Sequence, residues 1–414
     1  MVMKALLTAA LIIACVPSWA QELPDGARTR IAFTLLVDGQ WDLYTSELDG
    51  SARRRLTNDS AREIAPVWSP RGDRLAYSHG QPLGRGVWVG GDGLVVVSYD
   101  GAGAKQIVTG RVIGAAFSPD GALLAYSTGQ EEEGFFCSYK QFTLHVVDVE
   151  SGREMMSVPD AMYPIWLPQP QSLLYLAGKE FEPRIAVPAT GETRSFADAS
   201  AAREGGLPIT ASPDGRHLYW AGGQKSESFN DVLFETDLTG NGARAIVDLP
   251  IADFRLFISD YAGCVSPRRF VRAWSPSGKD LLVTRLQRSA PGSDFEIADR
   301  LNIDVSLFTL TVVRPVGAEV TFDATPYPIL LFQPGALEAL RDKRAAEGRD
   351  SLIREGQIGI TDAYWTPRGQ GILYAIEYGE SWIMLTNRLS DRTVSRLLPE
   401  FSPDQIAFIA CCGL

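Results

Sequence analysis

The sequence predicts an all-β chain folded as a β-propeller, and three observations predict it. A short phrase of an aromatic residue, Ser-Pro-Asp-Gly or a variant, and a brief apolar run returns along the whole length. Between its prolines the first three gaps, of 49, 49 and 45 residues, fall near the ~40–50-residue period of propeller blades, and the longer gaps of 63 and 91 residues imply insertions. Between phrases lie further apolar stretches punctuated by Asp-Gly or Ser-Gly turns, so each repeat supplies four strands, the arrangement of a radial four-stranded blade.

The phrase reads Trp68-Ser69-Pro70-Arg71-Gly72 before Leu75-Ala76-Tyr77, then Phe117-Ser118-Pro119-Asp120-Gly121 before Leu124-Ala125-Tyr126. A degraded copy runs from Trp166 to Pro170 before Leu173-Leu174-Tyr175. It returns at Ser212-Pro213-Asp214-Gly215, at Trp274-Ser275-Pro276-Ser277-Gly278 and at Trp365-Thr366-Pro367-Arg368-Gly369. A clipped copy, Phe401-Ser402-Pro403-Asp404, ends the chain. Proline fixes φ at the second turn position, Ser caps the turn, and Gly at the fourth position relieves crowding. The phrase is therefore a tight hairpin between two strands. The aromatics Trp68, Phe117, Trp166, Trp274 and Trp365 are expected to fill the gap between neighbouring sheets.

The second half of each repeat carries its own turn. Trp41 to Leu48 is a strand, Asp49-Gly50 the hairpin, and Arg54-Arg55-Leu56-Thr57 the outer strand. The same order recurs around Asp100-Gly101, Ser151-Gly152, Thr239-Gly240 and Ser390-Asp391. Ile31-Ala32-Phe33-Thr34 is a second-strand sequence with no phrase ahead of it, and the chain ends on the missing piece. The C-terminal strand is thus expected to complete the N-terminal blade and close the ring, leaving no open edge. The count gives seven blades of four antiparallel strands, or six if the copy around Trp166 or the long insertion makes no proper sheet. That insertion, about 287–355, has a polar loop (Gln287 to Arg300), a β-like run (Ile303 to Val313) and a short helix opening near Pro334 and running to about Glu347.

The first twenty residues read as a signal peptide: Lys4 gives the positive start, Ala5 to Val16 the apolar core, and Ser18-Trp19-Ala20 the cleavage site. The mature propeller then spans 21–414. A second reading takes Ile12-Ile13-Ala14-Cys15 as a lipobox, with a lipid anchor on Cys15; both readings place the chain outside the cytoplasm. No other stretch is long and apolar enough for a transmembrane helix. Cys137, Cys264, Cys411 and Cys412 permit disulfides in an oxidising compartment, with the pairing open. A net charge of -11 argues against nucleic acid as a partner.

The stretch Asp42-Leu43-Tyr44, Asp49-Gly50-Ser51, Arg55-Leu56-Thr57-Asn58, Pro66-Val67-Trp68-Ser69-Pro70 and Leu75-Ala76-Tyr77 resembles the repeat of the TolB propeller family, and the likeness extends over nearly all of the mature chain. The resemblance implies an exported bacterial protein, in the periplasm, whose propeller makes protein–protein contacts in the cell envelope. TolB proteins carry an α/β domain ahead of the propeller, whereas here the first strand follows the signal segment within about ten residues, so that domain's role is not carried over. Their propellers also have fewer blades than the phrase count gives. No binding residue is transferred.

Catalytic signatures are sparse. Gly379-Glu380-Ser381-Trp382-Ile383 lacks the second glycine of a nucleophile elbow. His79, His145 and His217 lie in three different repeats at different depths, and read as unrelated surface or core residues rather than metal ligands. Glu131-Glu132-Glu133 reads as a solvated loop, and Asp92-Gly93 and Asp100-Gly101 as turns rather than calcium ladders. No catalytic, cofactor or metal residue is singled out. Trp88, in the Gly-rich loop Gly80–Gly93, is the one residue picked as a face-exposed binding contact. The reading is a protein-interaction scaffold without enzymatic activity, its partner an envelope protein. The alternatives are a lyase or hydrolase acting on a carbohydrate or peptide at the channel mouth, and a lipid-anchored structural propeller.

Overall fold

The computed structural model describes residues 30–82, 88–89, 91–131, 139–167, 171–178, 182–195, 207–222, 232–248, 274–275, 277–287, 307–313, 325–327, 358–366, 369–378, 381–390, 394–401 and 405–412. The signal segment, Cys15, Cys137, Cys264 and the helix expected near Pro334 lie outside these residues. Among the described residues, no helix is long and apolar enough to cross a membrane.

All named elements are strands, paired antiparallel. The first repeat supplies β1 (Arg30–Val37), β2 (Gln40–Glu47) and β3 (Arg54–Arg55). The second supplies β4 (Arg62–Trp68), β5 (Arg74–Pro82), a short β6 (Trp88–Val89) hydrogen-bonded to β5, and β7 (Gly91–Ser98), and it ends in β8 (Lys105–Phe117). β8 continues into the third repeat, where β9 (Leu123–Glu131), β10 (Tyr139–Asp148) and β11 (Glu154–Pro159) follow. Two four-stranded sheets come next: β12 (Ala161–Leu167), β13 (Ser172–Ala177), β14 (Glu182–Val187) and β15 (Glu192–Ser195), then β16 (Leu207–Ala211), β17 (His217–Gly222), β18 (Val232–Asp237) and β19 (Arg244–Asp248). A three-stranded sheet holds β20 (Leu281–Gln287), β21 (Leu307–Val313) and β22 (Thr325–Tyr327). The last repeat gives β23 (Ile358–Trp365), β24 (Gly371–Tyr378), β25 (Ser381–Arg388) and β26 (Val394–Arg396). Finally β27 (Ile406–Cys412) pairs with β1, from Leu35 opposite Ile406 to Arg30 opposite Cys412.

The expectation of seven blades is corrected to six: hydrogen bonding among the described residues groups the strands into six sheets. β8 is the reason. It pairs with β7 over one half and β9 over the other, so the second and third repeats share one large sheet. The strand pivots at Gly110, whose φ of +103° is open to glycine and closed to most side chains. Both segments named as threats to the count do form strands: the copy around Trp166 heads a four-stranded sheet, and the insertion contributes β21. In the insertion's sheet, the inner position holds a bridge between Trp274 and Leu281 in place of a named strand among the described residues.

The recurrent phrase makes one turn over and over. The Gly72 N–H donates to the Ser69 carbonyl (2.9 Å), and Gly121 to Ser118, Gly278 to Ser275 and Gly369 to Thr366 in the same way (each 2.8 Å). The hydroxyl of that first residue then accepts from the backbone five residues on, as in Leu123 to Ser118 (2.8 Å) and His217 to Ser212 (3.0 Å). The aromatics seal one sheet to the next. Trp68 packs with Ala32 and Leu43 of the preceding sheet, the Trp166 indole donates to the Ala116 carbonyl (2.9 Å), and Trp274 meets the Tyr219 ring edge-on at 5.1 Å. The last and first sheets join through Tyr364, Leu373 and Met384 packed on Ile31, Phe33 and Ile406.

The two ends of the strands differ. At one end, called here the turn face, the connections are short apart from 314–324, and those at 48–53 and 238–243 are tight turns closed by backbone hydrogen bonds. The other end, the loop face, takes most of the long connections: 196–206, 223–231, 288–306 and 328–357 leave and return there, and 249–273 leaves from it.

Candidate functional site

The side chains with the most chemistry meet at the loop-face end of the seam between the first two repeats. Thr57, Asn58 and Asp59 lie on the connection from β3 to β4, Glu63 is the second residue of β4, and His79 sits toward the end of β5. Register places Glu63 directly opposite His79, so both side chains project to the same side of the sheet. Tyr77, two residues before His79 and on that side, packs with Ala32 and Leu43 of the first repeat, which locates the cluster in the seam. Candidate ligand atoms of Asp59, Glu63 and His79 all lie within 4.8 Å of one another.

Burial differs sharply across the three. Asp59 is exposed and His79 half-buried, but Glu63 is 0% exposed. The Glu63 backbone is fixed from across the seam, its carbonyl accepting from the Thr34 hydroxyl (2.9 Å). Neither of its carboxylate oxygens meets a donor at hydrogen-bond geometry. Desolvation by burial therefore dominates, and the Glu63 carboxyl is pushed up to about 7, its own backbone and the Thr57 hydroxyl only tempering the rise. Asp42, also 0% exposed, is treated differently: the Arg55 guanidinium pairs with it. Asp59 is held in place by its neighbours, its Oδ1 accepting from Ala61 N–H (2.8 Å) and its carbonyl from the Gln40 amide. The Arg62 guanidinium lies over the Trp41 ring, 3.8 Å from its centroid. Burial, followed by the charges of Glu63 and Asp59, also raises the Tyr77 hydroxyl well above its usual range.

The uncompensated Glu63 carboxylate implies a measurable cost. A group whose folded pKa is raised from 4.5 to about 7 destabilises the folded state wherever it must ionise. The penalty is absent below the unfolded value, grows as pH rises and is complete above about 7. It is worth up to about 3 kcal/mol by the linkage constant. In chelator-containing buffer, Glu63→Gln is expected to raise stability by about 1–2 kcal/mol at pH 8, the buried amide offsetting part of the gain. By pH 5 the gain is expected to fall below about 1 kcal/mol. Urea unfolding at the two pH values checks this; an equal effect at both would contradict the assigned environment.

The other positions singled out in the sequence fall elsewhere. His145, on β10, shares a hydrogen bond with the Thr128 hydroxyl (3.0 Å) and faces Glu154 (2.8 Å) while stacked on Tyr126. His217, at the start of β17, lies 3.6 Å from Glu235. The histidines thus occupy three separate repeats, and only His79 joins a wider group of potential ligands among the described residues. Trp88 pairs through its backbone with Pro82 at the loop face, close in sequence to His79. The Ser381 strand start is paired to Tyr378. Cys411 and Cys412 sit on β27 opposite Ile31 and Arg30, toward the turn face.

Asp59 and Glu63 do not stand out in the sequence because carboxylates are common and nothing local marks them. A signal is present, though, in the alignment of the repeats on their aromatics. The position of Glu63 is held by Val112, Ala161 and Ile360 in other repeats, and that of His79 by Thr128, Ala177 and Ile376.

No family model matches the chain. A 55-residue stretch is 38% identical to the Tol-Pal system protein TolB of Desulfosudis oleivorans, and the match spans 13% of this chain and 13% of that protein. Among solved structures, a functionally unknown protein from Desulfotomaculum acetoxidans superposes with a TM-score of 0.53 at 12% identity, over 94% of this chain and 99% of that one. An oligogalacturonate lyase from Vibrio parahaemolyticus gives 0.52 at 12% identity, over 87% of this chain and 86% of the other. The likenesses to these structures establish the fold alone. In fold the chain is a β-propeller, and the matched stretch of its repeat is TolB-like.

Proposed function

We propose that this chain is an exported propeller, mature from residue 21, whose loop face docks a protein of the bacterial envelope. The observation that carries the reading is the asymmetry of the two ends: short turns on one, with 314–324 the exception, and four long connections on the other. Binding segments concentrate on loops held by a rigid scaffold, and here the scaffold is a set of packed sheets with a turn chemistry repeated five times. The TolB-like repeat favours the periplasm as the compartment and a protein as the ligand. Trp88, on the short strand that ends beside the loop face, supplies an aromatic anchor of the kind that dominates protein interfaces.

The test is capture from envelope extract by the tagged mature chain, with parallel variants. The Gly80–Gly93 stretch expected as a loop is largely strand, so the trim is confined to 83–90, between β5 and β7. One envelope protein is expected to be enriched, and that trim or removal of the 287–355 insertion is expected to abolish its capture. Trp88→Ala is expected to weaken binding of the purified partner by at least about tenfold, a hot-spot magnitude. A turn-face change such as Glu150→Lys is expected to leave it intact. Capture that survives both trims, or the absence of any enriched protein, would overturn the proposal.

A further inference from the structure

We infer that Asp59, Glu63 and His79 form a binding site for one divalent transition-metal ion, of the Zn²⁺ or Mn²⁺ class, at the loop-face end of the seam between the first and second repeats. Three independent observations converge. The first is geometric: one imidazole nitrogen and two carboxylate oxygens lie within 4.8 Å of one another, a spread that small side-chain rotations close onto an ion with bonds of about 2.1 Å.

The second is the state of Glu63. Its carboxylate is fully buried and meets no donor at full hydrogen-bond geometry, with only weak contact from the Thr57 hydroxyl and its own backbone. That is an expensive arrangement, because buried charges are ordinarily paired or bound to metal. The same seam shows the ordinary solution in the first repeat, where Asp42 has Arg55. Among the described residues, Glu63 is grouped instead with Asp59 and His79, and a cation placed among them would supply the missing counter-charge.

The third is the comparison among repeats within the one chain. In the register that holds Glu63 opposite His79, other sheets hold Val112 opposite Thr128, Ala161 opposite Ala177 and Ile360 opposite Ile376. The fold is content with small or apolar pairs at this point. The acid–imidazole pair is therefore not required by the repeat, and it coincides with the connection that brings Asp59 alongside.

The donor set fixes the class of ion. Imidazole selects zinc, iron, nickel or copper over calcium and magnesium, while two carboxylates suit manganese and zinc. Exposure of Asp59 leaves an entry path and room for water as the remaining ligand. Asp59 is already oriented by Ala61 N–H and Gln40, so little ordering remains to be done when an ion arrives.

The experiment uses the full mature chain, stripped with chelator and dialysed, with Zn²⁺, Mn²⁺ and Ca²⁺ added separately and followed by calorimetry and thermal melting. One equivalent of Zn²⁺ or Mn²⁺ is expected to bind, and at a hundredfold excess over Kd to raise Tm by roughly 2–4 °C. His79→Ala is expected to abolish the heat and the Tm rise. Asp59→Asn, at an exposed position and able to keep the Ala61 cap, is expected to weaken binding by at least about tenfold, the range seen for disturbed metal sites. His217→Ala is expected to change nothing. Absence of binding by the unmodified chain, binding that survives His79→Ala and Asp59→Asn in folded protein, or a preference for Ca²⁺ would overturn the assignment.

Discussion

A chain ending after Phe401 is expected to lose its cooperative melting transition or to melt at least about 10 °C lower, and to form higher oligomers. Among the described strands, β27 alone covers the inner edge of β1, and it does so along the run from Leu35 opposite Ile406 to Arg30 opposite Cys412. Without it, β1 presents a row of unpaired backbone groups, the template on which a second copy pairs. The core suffers as well. Ile406 is 1% exposed and packs among Phe33, Leu35, Tyr364, Leu373 and Leu398, residues drawn from both ends of the chain. Ile406→Ala alone is expected to cost about 2–5 kcal/mol, the range for deleting a buried branched side chain. Ile406→Val is expected to cost about 0.5–1.5 kcal/mol. Size-exclusion chromatography with thermal melting by circular dichroism checks both. A truncated chain that stays monomeric with an unchanged melt would mean that the pairing of β27 with β1 contributes nothing to the fold in solution.

How much of this is legible in the sequence follows from the range of each interaction. Turns are local, so Ser118-Pro119-Asp120-Gly121 declares its own geometry, and the hydrogen bonds from Gly121 to Ser118 and from Leu123 to the Ser118 hydroxyl are what those residue types make. The missing inner strand of the first repeat is legible too, because a repeat that begins in mid-phrase announces what it lacks. The clipped phrase, however, does not repeat its usual place: Phe401 precedes the inner strand β27 instead of ending one, and its ring lies under Arg53. The merging of two repeats through β8 is not legible, because it depends on whether Gly110 turns the strand within the ladder or lifts it out. The cluster of Asp59, Glu63 and His79 is hidden for a different reason. Asp59 and Glu63 sit on either side of a strand start, and their meeting with His79 is set by register with β5. A search that takes each histidine by itself and looks for other histidines misses partners that are carboxylates.

Trp220 stands outside the leading aromatic position of the phrase, so the sequence marks it less clearly as core than Trp68 or Trp365. It is 1% exposed, first among the largest fully buried side chains, and packs with Leu218 of its own sheet and Leu167, Leu174 and Ile185 of the preceding one. It aligns with Tyr77 and Tyr126, so the fifth repeat uses an indole where the second and third use a phenol. The indole N–H donates to the Thr236 hydroxyl (2.9 Å), which in turn donates to the Asp237 carbonyl (3.0 Å). Trp220→Ala is accordingly expected to destabilise by about 3–5 kcal/mol, combining lost burial with a cavity across two sheets. Trp220→Phe keeps most of the volume and removes the donor, and is expected to cost about 1–2 kcal/mol; Thr236 retains its bond to Asp237, so no polar group is stranded. Chemical unfolding gives the totals, and amide exchange gives their location. If the side chain bridges the sheets as the contacts indicate, Trp220→Ala will speed exchange in β13 and β14 as well as β17 and β18. Faster exchange confined to β17 and β18 would mean that the seam holds without it, and that the aromatic serves its own sheet alone.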